Sequence, residues 1–265
     1  MIFPCPSAIS PCPNDIYIFS GILSGHIKWP EILQGFTFLD IQELNQHAIL
    51  QKAGLIKLSF AAMYETEKNY SLLDSGAAMG FGCGPLVLAR QNETIKPGMR
   101  IGIPGWQTTA WLLFRRYFSH LIQPDVANQV QQIVFHDLEK ALTNHQIDLA
   151  LIIHETRFSY DQKRLMQVAD LGELWEKETS LPIPLGGICL HQSINHLKST
   201  VESLISDSLH WAENHQDEAV ALCQKYAQEL DPEVIQSHIK LYVNSFTHRI
   251  GGDGQRALAL LRTHI

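Results

Sequence analysis

The sequence is poor in basic residues. It has 20 lysines and arginines against 27 aspartates and glutamates, a formal net charge of -7, and no cluster of basic residues. A protein that holds a nucleic acid needs positive charge to neutralise phosphate groups. We therefore expect no nucleic-acid partner.

Long hydrophobic runs are also missing. No window approaches the roughly 18 consecutive apolar residues that span a membrane, although 45% of the residues are hydrophobic. The beginning of the chain, MIFPCPSAISPCPND, has neither the basic region nor the uninterrupted apolar stretch of a secretory signal. These features predict a globular protein with a substantial core, no membrane partner and a cytoplasmic location.

Cysteine is scarce, and its spacing is irregular. The five cysteines, Cys5, Cys12, Cys83, Cys189 and Cys223, form no Cys-x-x-Cys pair. An odd set of this kind is typical of a reducing compartment and not of a disulfide framework. The last three cysteines are predicted to be small buried apolar residues.

Motifs for metals and nucleotides are absent as well. Phe158 stands where a His-Glu-x-x-His motif beginning at His154 would need its second histidine, and the other histidines are scattered along the chain. The glycines of GFGCG (80–84) resemble a nucleotide fingerprint, but a strand follows them instead of a helix. The sequence predicts no bound metal and no cofactor.

Short apolar runs instead alternate with amphipathic segments. GFTFLDI, LIKLSF and PLVLAR have strand composition, whereas IQELNQHAILQKA and AAMYETEKNYSLL have helical spacing. A second series runs from RIGIPG through an apolar helix, the strand QQIVFH and another helix to the strand DLALIIH. The chain beyond about residue 195 is mainly helical in pattern. This order predicts an α/β protein.

A rigid polar corner, SPCPND (10–15), precedes the first helix. Pro11 and Pro13 restrict the backbone, and Asn14 or Asp15 is suited to be the N-cap. The first N–H groups of a helix favour an anionic or carbonyl-bearing ligand, which makes Asn14 a candidate binding residue. Capping without any ligand explains the same residues equally well.

A second helix start follows the strand RIGI. Pro104 and Gly105 end that strand, and Thr108 and Thr109 open a strongly apolar helix. Ligands of open α/β sheets bind beyond the carboxyl ends of strands, and hydroxyl groups beside helix N–H groups suit a carboxylate. Both threonines are candidate ligand-binding residues, and the alternative is that they only cap the helix.

His154 ends the apolar strand DLALIIH. The chain leaves the sheet there, so the imidazole is predicted to face a ligand crevice, where it can accept a proton near neutral pH. Glu155 is not expected to assist, because neighbouring residues in an extended chain point to opposite faces. A hydrogen-bonded structural histidine is the alternative.

Seven stretches, in their order and spacing, resemble a known family. They are SPCPND, KLSFAAM, GCGPLVLAR, IPGWQTTA, LIIHETRFSY, LGELWEKETSLPIPLGG and YVNSF. From residue 9 to about residue 250, the chain resembles the 1,4-dihydroxy-6-naphthoate synthases of the futalosine route to menaquinone. SPCPND and the histidine-containing stretch are specific to that family, whereas the Thr-Thr-Ala pattern is shared more loosely with related binding proteins.

The resemblance implies a type II periplasmic-binding-protein fold, with two α/β lobes joined by two crossing strands and a ligand in the cleft. It implies a first lobe of residues 1–95 and 185–265, which includes the C-terminal helices, and a second lobe of residues 96–184. The two prolines of MIFPCPSAIS depart from the smooth apolar first strand that is usual in the family.

The resemblance also implies the chemistry. An enzyme of this family is a carbon-carbon lyase that cleaves the small molecule cyclic dehypoxanthine futalosine into 1,4-dihydroxy-6-naphthoate and a sugar-derived fragment. It uses no metal or redox cofactor, because aromatisation of the new ring drives the reaction. The proton acceptor of the family falls on His154. The substrate-contacting segments fall on Lys57, Leu58 and Ser59 of KLS and on Thr109 and Ala110 of TTA.

Some alternatives stay open at this point. The Lys57 side chain is suited to a salt bridge behind its strand, which would leave substrate binding to backbone groups of the triplet. Chorismate dehydratase, a sister enzyme of the same fold and pathway, is a rival identity, but it is not expected to carry SPCPND or His154. A non-catalytic small-molecule binding protein is a second rival, since the fold permits it.

Overall fold

The computed structural model describes residues 6–91, 94–123, 126–153, 157–158, 160, 165–226 and 231–264. The strands among them are β1 (Ser7–Ile9), β2 (Thr37–Phe38), β3 (Leu55–Ser59), β4 (Tyr70–Leu72), β5 (Ala78–Gly80), β6 (Leu86–Ala89), β7 (Ile101–Ile103), β8 (Val130–Gln132), β9 (Leu149–Ile152), β10 (Met166–Asp170) and β11 (Ile183–His191). The helices are α1 (Pro13–Leu23), α2 (Ile41–Ile49), α3 (Phe60–Glu65), α4 (Thr109–Phe118), α5 (Val126–Gln129), α6 (Leu138–Thr143), α7 (Leu171–Thr179), α8 (Lys198–Asn214), α9 (Gln216–Tyr226), α10 (Pro232–Tyr242), α11 (Ser245–His248) and α12 (Gly251–Arg262). The predicted α/β class is confirmed.

The first sheet is built around the long strand β11. Its order is β2-β1-β3-β11-β4, and β5 pairs with β11 beyond the end of β4. The strands β1, β2 and β3 are parallel, whereas β11 is antiparallel to β3, β4 and β5. The helices α1, α8, α9 and α10 pack against one another beside this sheet. The C-terminal part of the chain therefore completes a unit that its beginning starts.

The second sheet has the order β10-β6-β9-β7-β8. Strand β7 is parallel to β8 and β9, whereas β6 is antiparallel to β9 and β10. The chain enters this sheet between β5 and β6 and returns to the first sheet between α7 and β11. Strand β6 pairs here although it falls within residues 1–95, and the lobe boundaries at residues 95 and 185 stay predictions.

Several local predictions need correction. The segment GFTFLDI forms only the two-residue strand β2, because Asp40 caps α2 through hydrogen bonds from the N–H groups of Gln42 and Glu43. The helix predicted over AAMYETEKNYSLL ends at Glu65, and Tyr70–Leu72 forms β4 instead. Pairing with β11, which is distant in sequence, decides the conformation of those last residues.

The start of α1 differs from the predicted one. Its N-cap is Cys12, whose side chain makes no capping hydrogen bond, and Pro13 occupies the first helical position. Asn14 and Asp15 therefore lie inside the first turn, where a carboxylate is favoured by the helix dipole. The side chains of both residues are free to make contacts other than capping.

The cysteines are buried as predicted. Cys83, Cys189 and Cys223 are each at most 1% exposed and lie within apolar clusters. Burial raises the pKa of each of these thiols to about 12, so all three are protonated at neutral pH. Cys12 is also buried, whereas Cys5 lies outside the described residues.

Among the helices that the structure describes, none has the length and apolar character to cross a membrane.

Candidate active site between the two sheets

A cavity is lined by elements of both sheets. Its wall includes Lys57 and Ser59 from β3, the beginning of α4, and Ile153, which follows β9. Six of the predicted site residues line it, and these are Asn14, Lys57, Ser59, Thr108, Thr109 and Ala110. The side chain of Leu58 is fully buried and is not among the lining residues.

His154, the predicted base, lies outside the described residues, and so does Glu155. The residue before it, Ile153, lines the cavity. Beyond it, the Arg157 guanidinium donates to the carbonyl oxygen of Gly84 at 2.6 Å and to the Asp170 carboxylate at 2.8 Å. Gly84 also lines the cavity. The residue before His154 therefore lines the cavity, and Arg157, three residues after it, bonds to a lining residue.

A buried ion pair, Lys57 with Asp15, lines the cavity. The Nζ atom of Lys57 lies 2.8 Å from Oδ1 of Asp15, and the two side chains are 6% and 1% exposed. Oδ2 of Asp15 accepts a hydrogen bond from the Ser10 hydroxyl at 2.7 Å. Buried charges are tolerated only when they are paired and hydrogen-bonded in this way. The salt bridge considered for Lys57 is therefore present, and the same residue also lines the cavity.

Asn14 extends this pair into a chain of hydrogen bonds. Its Nδ2 group donates to Oδ1 of Asp15 at 2.9 Å, and its Oδ1 atom lies 3.0 Å from Nε2 of His238. Because a carboxylate only accepts, the Asn14 amide nitrogen must face Asp15 and its oxygen must face His238. Nε2 of His238 consequently carries a proton, which it donates to Asn14.

Ser59 is hydrogen-bonded to the loop that precedes α4. Its hydroxyl donates to the carbonyl oxygen of Gln107 at 2.5 Å and accepts from Nδ2 of Asn45 at 3.0 Å. Gln107 precedes α4, so this contact joins the first sheet to a loop of the second. The backbone N–H of Ser59 donates to Oδ1 of Asn45 at 3.2 Å. Asn45 thereby holds both the hydroxyl and the backbone of Ser59.

The two threonines play different parts. Thr108 is the N-cap of α4, and its hydroxyl accepts from the N–H of Trp111 at 3.2 Å. The Thr109 hydroxyl donates to the carbonyl oxygen of Leu185 at 2.9 Å and accepts from the N–H of Ala61 at 3.3 Å. The Thr109 hydroxyl therefore already donates one hydrogen bond and accepts another within the protein. Helix geometry leaves the N–H groups of Thr109 and Ala110 without an acceptor inside the helix, at the cavity wall.

Cys83 lines the cavity but is a poor nucleophile. Its pKa is raised to about 12, mainly by burial, and the positive charge of Arg157 offsets only part of this shift. A protonated thiol neither attacks a substrate nor accepts its proton. Burial thus disfavours the thiolate that covalent catalysis through Cys83 would need.

Sequence reasoning missed two lining residues of α10. His238 and Tyr242 are four residues apart, which places them on one helix face, and their ring centroids are 4.5 Å apart. The Tyr242 hydroxyl donates to the carbonyl oxygen of Cys83 at 3.3 Å. The histidine–tyrosine spacing was the available signal, but α10 is distant in sequence from the other walls.

None of the described three-residue groups that could hold a metal includes a cavity residue.

Comparison with known proteins shows which family and which proteins this chain is similar to. Residues 7–265 match the family described as menaquinone biosynthesis. A 1,4-dihydroxy-6-naphthoate synthase of Thermus thermophilus is 36% identical over 253 residues, covering 95% of this chain and 90% of the relative. The enzyme of the same name from Streptomyces coelicolor is 35% identical over 257 residues, covering 97% of this chain and 90% of the relative.

Solved structures show the same fold. A protein from Archaeoglobus fulgidus superposes with a TM-score of 0.89 at 26% identity, covering 98% of this chain and 96% of that one. The periplasmic aliphatic sulphonate binding protein of Escherichia coli has a TM-score of 0.64 at 10% identity, covering 98% of this chain and 86% of that one. The periplasmic-binding-protein-like fold that the resemblance implied is confirmed. On these matches, the chain belongs to the menaquinone biosynthesis family that includes the 1,4-dihydroxy-6-naphthoate synthases.

Proposed function

We propose that the protein converts cyclic dehypoxanthine futalosine to 1,4-dihydroxy-6-naphthoate as a carbon-carbon lyase, with His154 as the general base. The observation that supports this most directly is the cavity, which gathers six of the predicted site residues and Ile153, the residue before His154. A reaction driven by aromatisation needs little beyond a base and a rigid binding site.

We also assign the protein to the cytoplasm.

The start of α4 binds the carboxylate of the substrate in this proposal. Lys57 is the one lysine or arginine among the described lining residues, and Asp15 neutralises it. Neutral donors therefore supply the binding energy, and the N–H groups of Thr109 and Ala110 are the available ones. The partial positive charge of the helix start strengthens them, as it does at other anion sites.

The first sheet supplies the opposite wall. Ser59 and the backbone of the Lys57–Ser59 triplet contact the substrate there, while the Lys57 side chain stays paired with Asp15. Asn14 lies next to this wall and presents an amide whose orientation is fixed by its neighbours. Residues 1–95 with 185–265 and residues 96–184 act as the two lobes that close on the substrate.

The test is turnover of cyclic dehypoxanthine futalosine by purified protein, followed by absorbance and by the mass of the naphthoate. His154→Ala is expected to lower turnover by about two to four orders of magnitude, the scale for a lost general base, while naphthoate binding and folding persist. His120→Ala, a change at an exposed histidine, is the matched control and should keep full activity. Equal turnover in His154→Ala and the parent would overturn the role of His154.

Other outcomes would identify the rivals. Dehydration of chorismate without cleavage of the cyclic substrate would indicate the sister enzyme. Tight binding of the naphthoate with no turnover of either compound would indicate a binding protein of the same fold. Either result would reject the proposed reaction.

A further inference from the structure

Three metal-ligating side chains meet on the surface, away from the cavity walls. His210 and Glu213 lie one turn apart on α8, and His248 is the last residue of α11. One ligand atom from each lies within 4.8 Å of the other two. Nε2 of His248 and Oε1 of Glu213 are 2.8 Å apart. None of the three residues lines the cavity.

We propose that His210, Glu213 and His248 form a binding site for a divalent transition metal such as Zn²⁺. Two imidazoles and one carboxylate are ligands that such an ion prefers, whereas Mg²⁺ and Ca²⁺ prefer all-oxygen sets. Ligand atoms that lie about 2.0–2.2 Å from a common zinc ion are closer together than 4.8 Å. Rotation of partly exposed side chains closes that gap, and water completes the coordination.

The surroundings favour this arrangement. The Ser206 hydroxyl lies 3.5 Å from Nδ1 of His210, near enough to orient that ring. The ring centroids of His210 and His248 are 5.5 Å apart. Thiols are the strongest competing ligands for zinc, and the described cysteines are all buried. The ion consequently has no accessible thiol ligand among the described residues.

The site joins two distant parts of the chain. Helix α11 is anchored to β5, because Asn244 donates to the carbonyl oxygen of Met79 at 2.9 Å and Thr247 donates to that of Ala77 at 3.0 Å. A metal bound between α8 and α11 therefore fastens α8 to β5 through α11. Its effect is on stability, since an ion that binds only the folded state raises the unfolding temperature.

The test uses full-length protein stripped with a chelator and titrated with Co²⁺ and Zn²⁺. We expect one ion per chain, visible absorption bands of Co²⁺ bound by nitrogen and oxygen ligands, and an unfolding temperature that rises with Zn²⁺. His210→Gln, Glu213→Gln and His248→Gln should each weaken binding at least about tenfold. His47→Gln, on α2, is the matched control and should bind as the parent does.

The outcomes are separable from those for the proposed function. Unchanged affinity in all three variants, or no binding by the parent at ion concentrations equal to the protein, would overturn the site. The three side chains are partly exposed, so the metal-free variants should unfold at nearly the parent temperature. If one of them fails to fold, the remaining two decide the matter.

Discussion

Single residues in the second sheet show how tightly its charges are paired. Asp148, which precedes β9, accepts from Nε and Nη2 of Arg100 at 3.0 and 2.8 Å and from the Arg100 backbone at 2.9 Å. Arg90 adds a bond at 3.3 Å. These contacts, those of Arg100 above all, hold the pKa of the Asp148 carboxyl well below its usual range. The ionised carboxylate therefore stabilises the folded state.

The first prediction concerns acid stability. Because the folded pKa of Asp148 lies below its unfolded value near 3.8, its contribution is fully present above that pH and is lost as the pH falls further. Asp148→Asn should lower the free energy of unfolding by about 1–3 kcal/mol at neutral pH, and the difference from the parent should shrink below about pH 4. Urea denaturation across this range measures it. A difference that stayed constant with pH would contradict the assignment, and Asp137→Asn, at an exposed carboxylate, is the control.

Residue identity predicted several residues that line the cavity, but not the contacts that their groups make. The motifs pointed to Asn14, Lys57, Ser59 and Thr109, and these line the cavity. The sequence could not show that the Thr109 hydroxyl is bonded to Leu185, because the contact spans 76 positions. His238 was missed for the same reason, since its partner Asn14 is 224 positions away. Local spacing carries no information about pairings of this kind.

At the scale of elements, the crossing from the first sheet to the second is closely packed. A Cβ atom added to Gly84 would lie 2.3 Å from the backbone N and Cα atoms of Gly172, at the beginning of α7. Backbone atoms cannot move aside as a flexible side-chain end can. The entry to β6 and the start of α7 are thus fixed against each other, next to the cavity wall.

The second prediction follows from this contact. Gly84→Ala should destabilise the protein by about 1–3 kcal/mol, the usual cost of overpacking, or more if the backbone cannot shift. It should also reduce turnover, because Gly84 lines the cavity and accepts a hydrogen bond from Arg157. Thermal unfolding and turnover measure both effects. Gly252→Ala is the matched control, since nothing lies within 4 Å of its added Cβ atom, and equal behaviour of the two variants would disprove the steric argument.

Elements with strong local signals were the ones that the sequence predicted well. The strand LIKLSF is β3, and the helix after Thr108 is α4. Failures occurred where a distant partner decides the structure, as in β4. The N-cap of α1 was misplaced because Pro13 is itself accepted as the first helical residue.

At the scale of the whole molecule, the Gln107 side chain adds a contact between elements of the two sheets. Oε1 of Gln107 accepts from Nε2 of Gln42 at 2.5 Å and from Nε2 of Gln46 at 3.2 Å. Both partners lie on α2, beside the first sheet, whereas Gln107 lies between β7 and α4 of the second. These bonds add to the backbone contact with Ser59. Together they hold the loop before α4 against α2 and Ser59.

The third prediction is that Gln107→Ala opens the cleft. Two hydrogen bonds contribute about 1–3 kcal/mol together, enough to shift the population of a marginally closed state substantially. Small-angle X-ray scattering should show a larger radius of gyration for the variant without ligand, and saturating naphthoate should reduce it. Gln34→Ala, at an exposed glutamine, should scatter as the parent does. Identical radii for Gln107→Ala and the parent would mean that other contacts hold the cleft closed.

The pairing of β5 with β11 shows how the second sheet is connected to the first. Gly80, at the end of β5, lies opposite Ile183, at the beginning of β11, in antiparallel register. The whole second sheet is therefore an insertion between two strands that are already hydrogen-bonded neighbours. A short hairpin turn could replace residues 81–182 without breaking a ladder of the first sheet. Removal or exchange of the second sheet is therefore a change that the strand order of the first sheet permits.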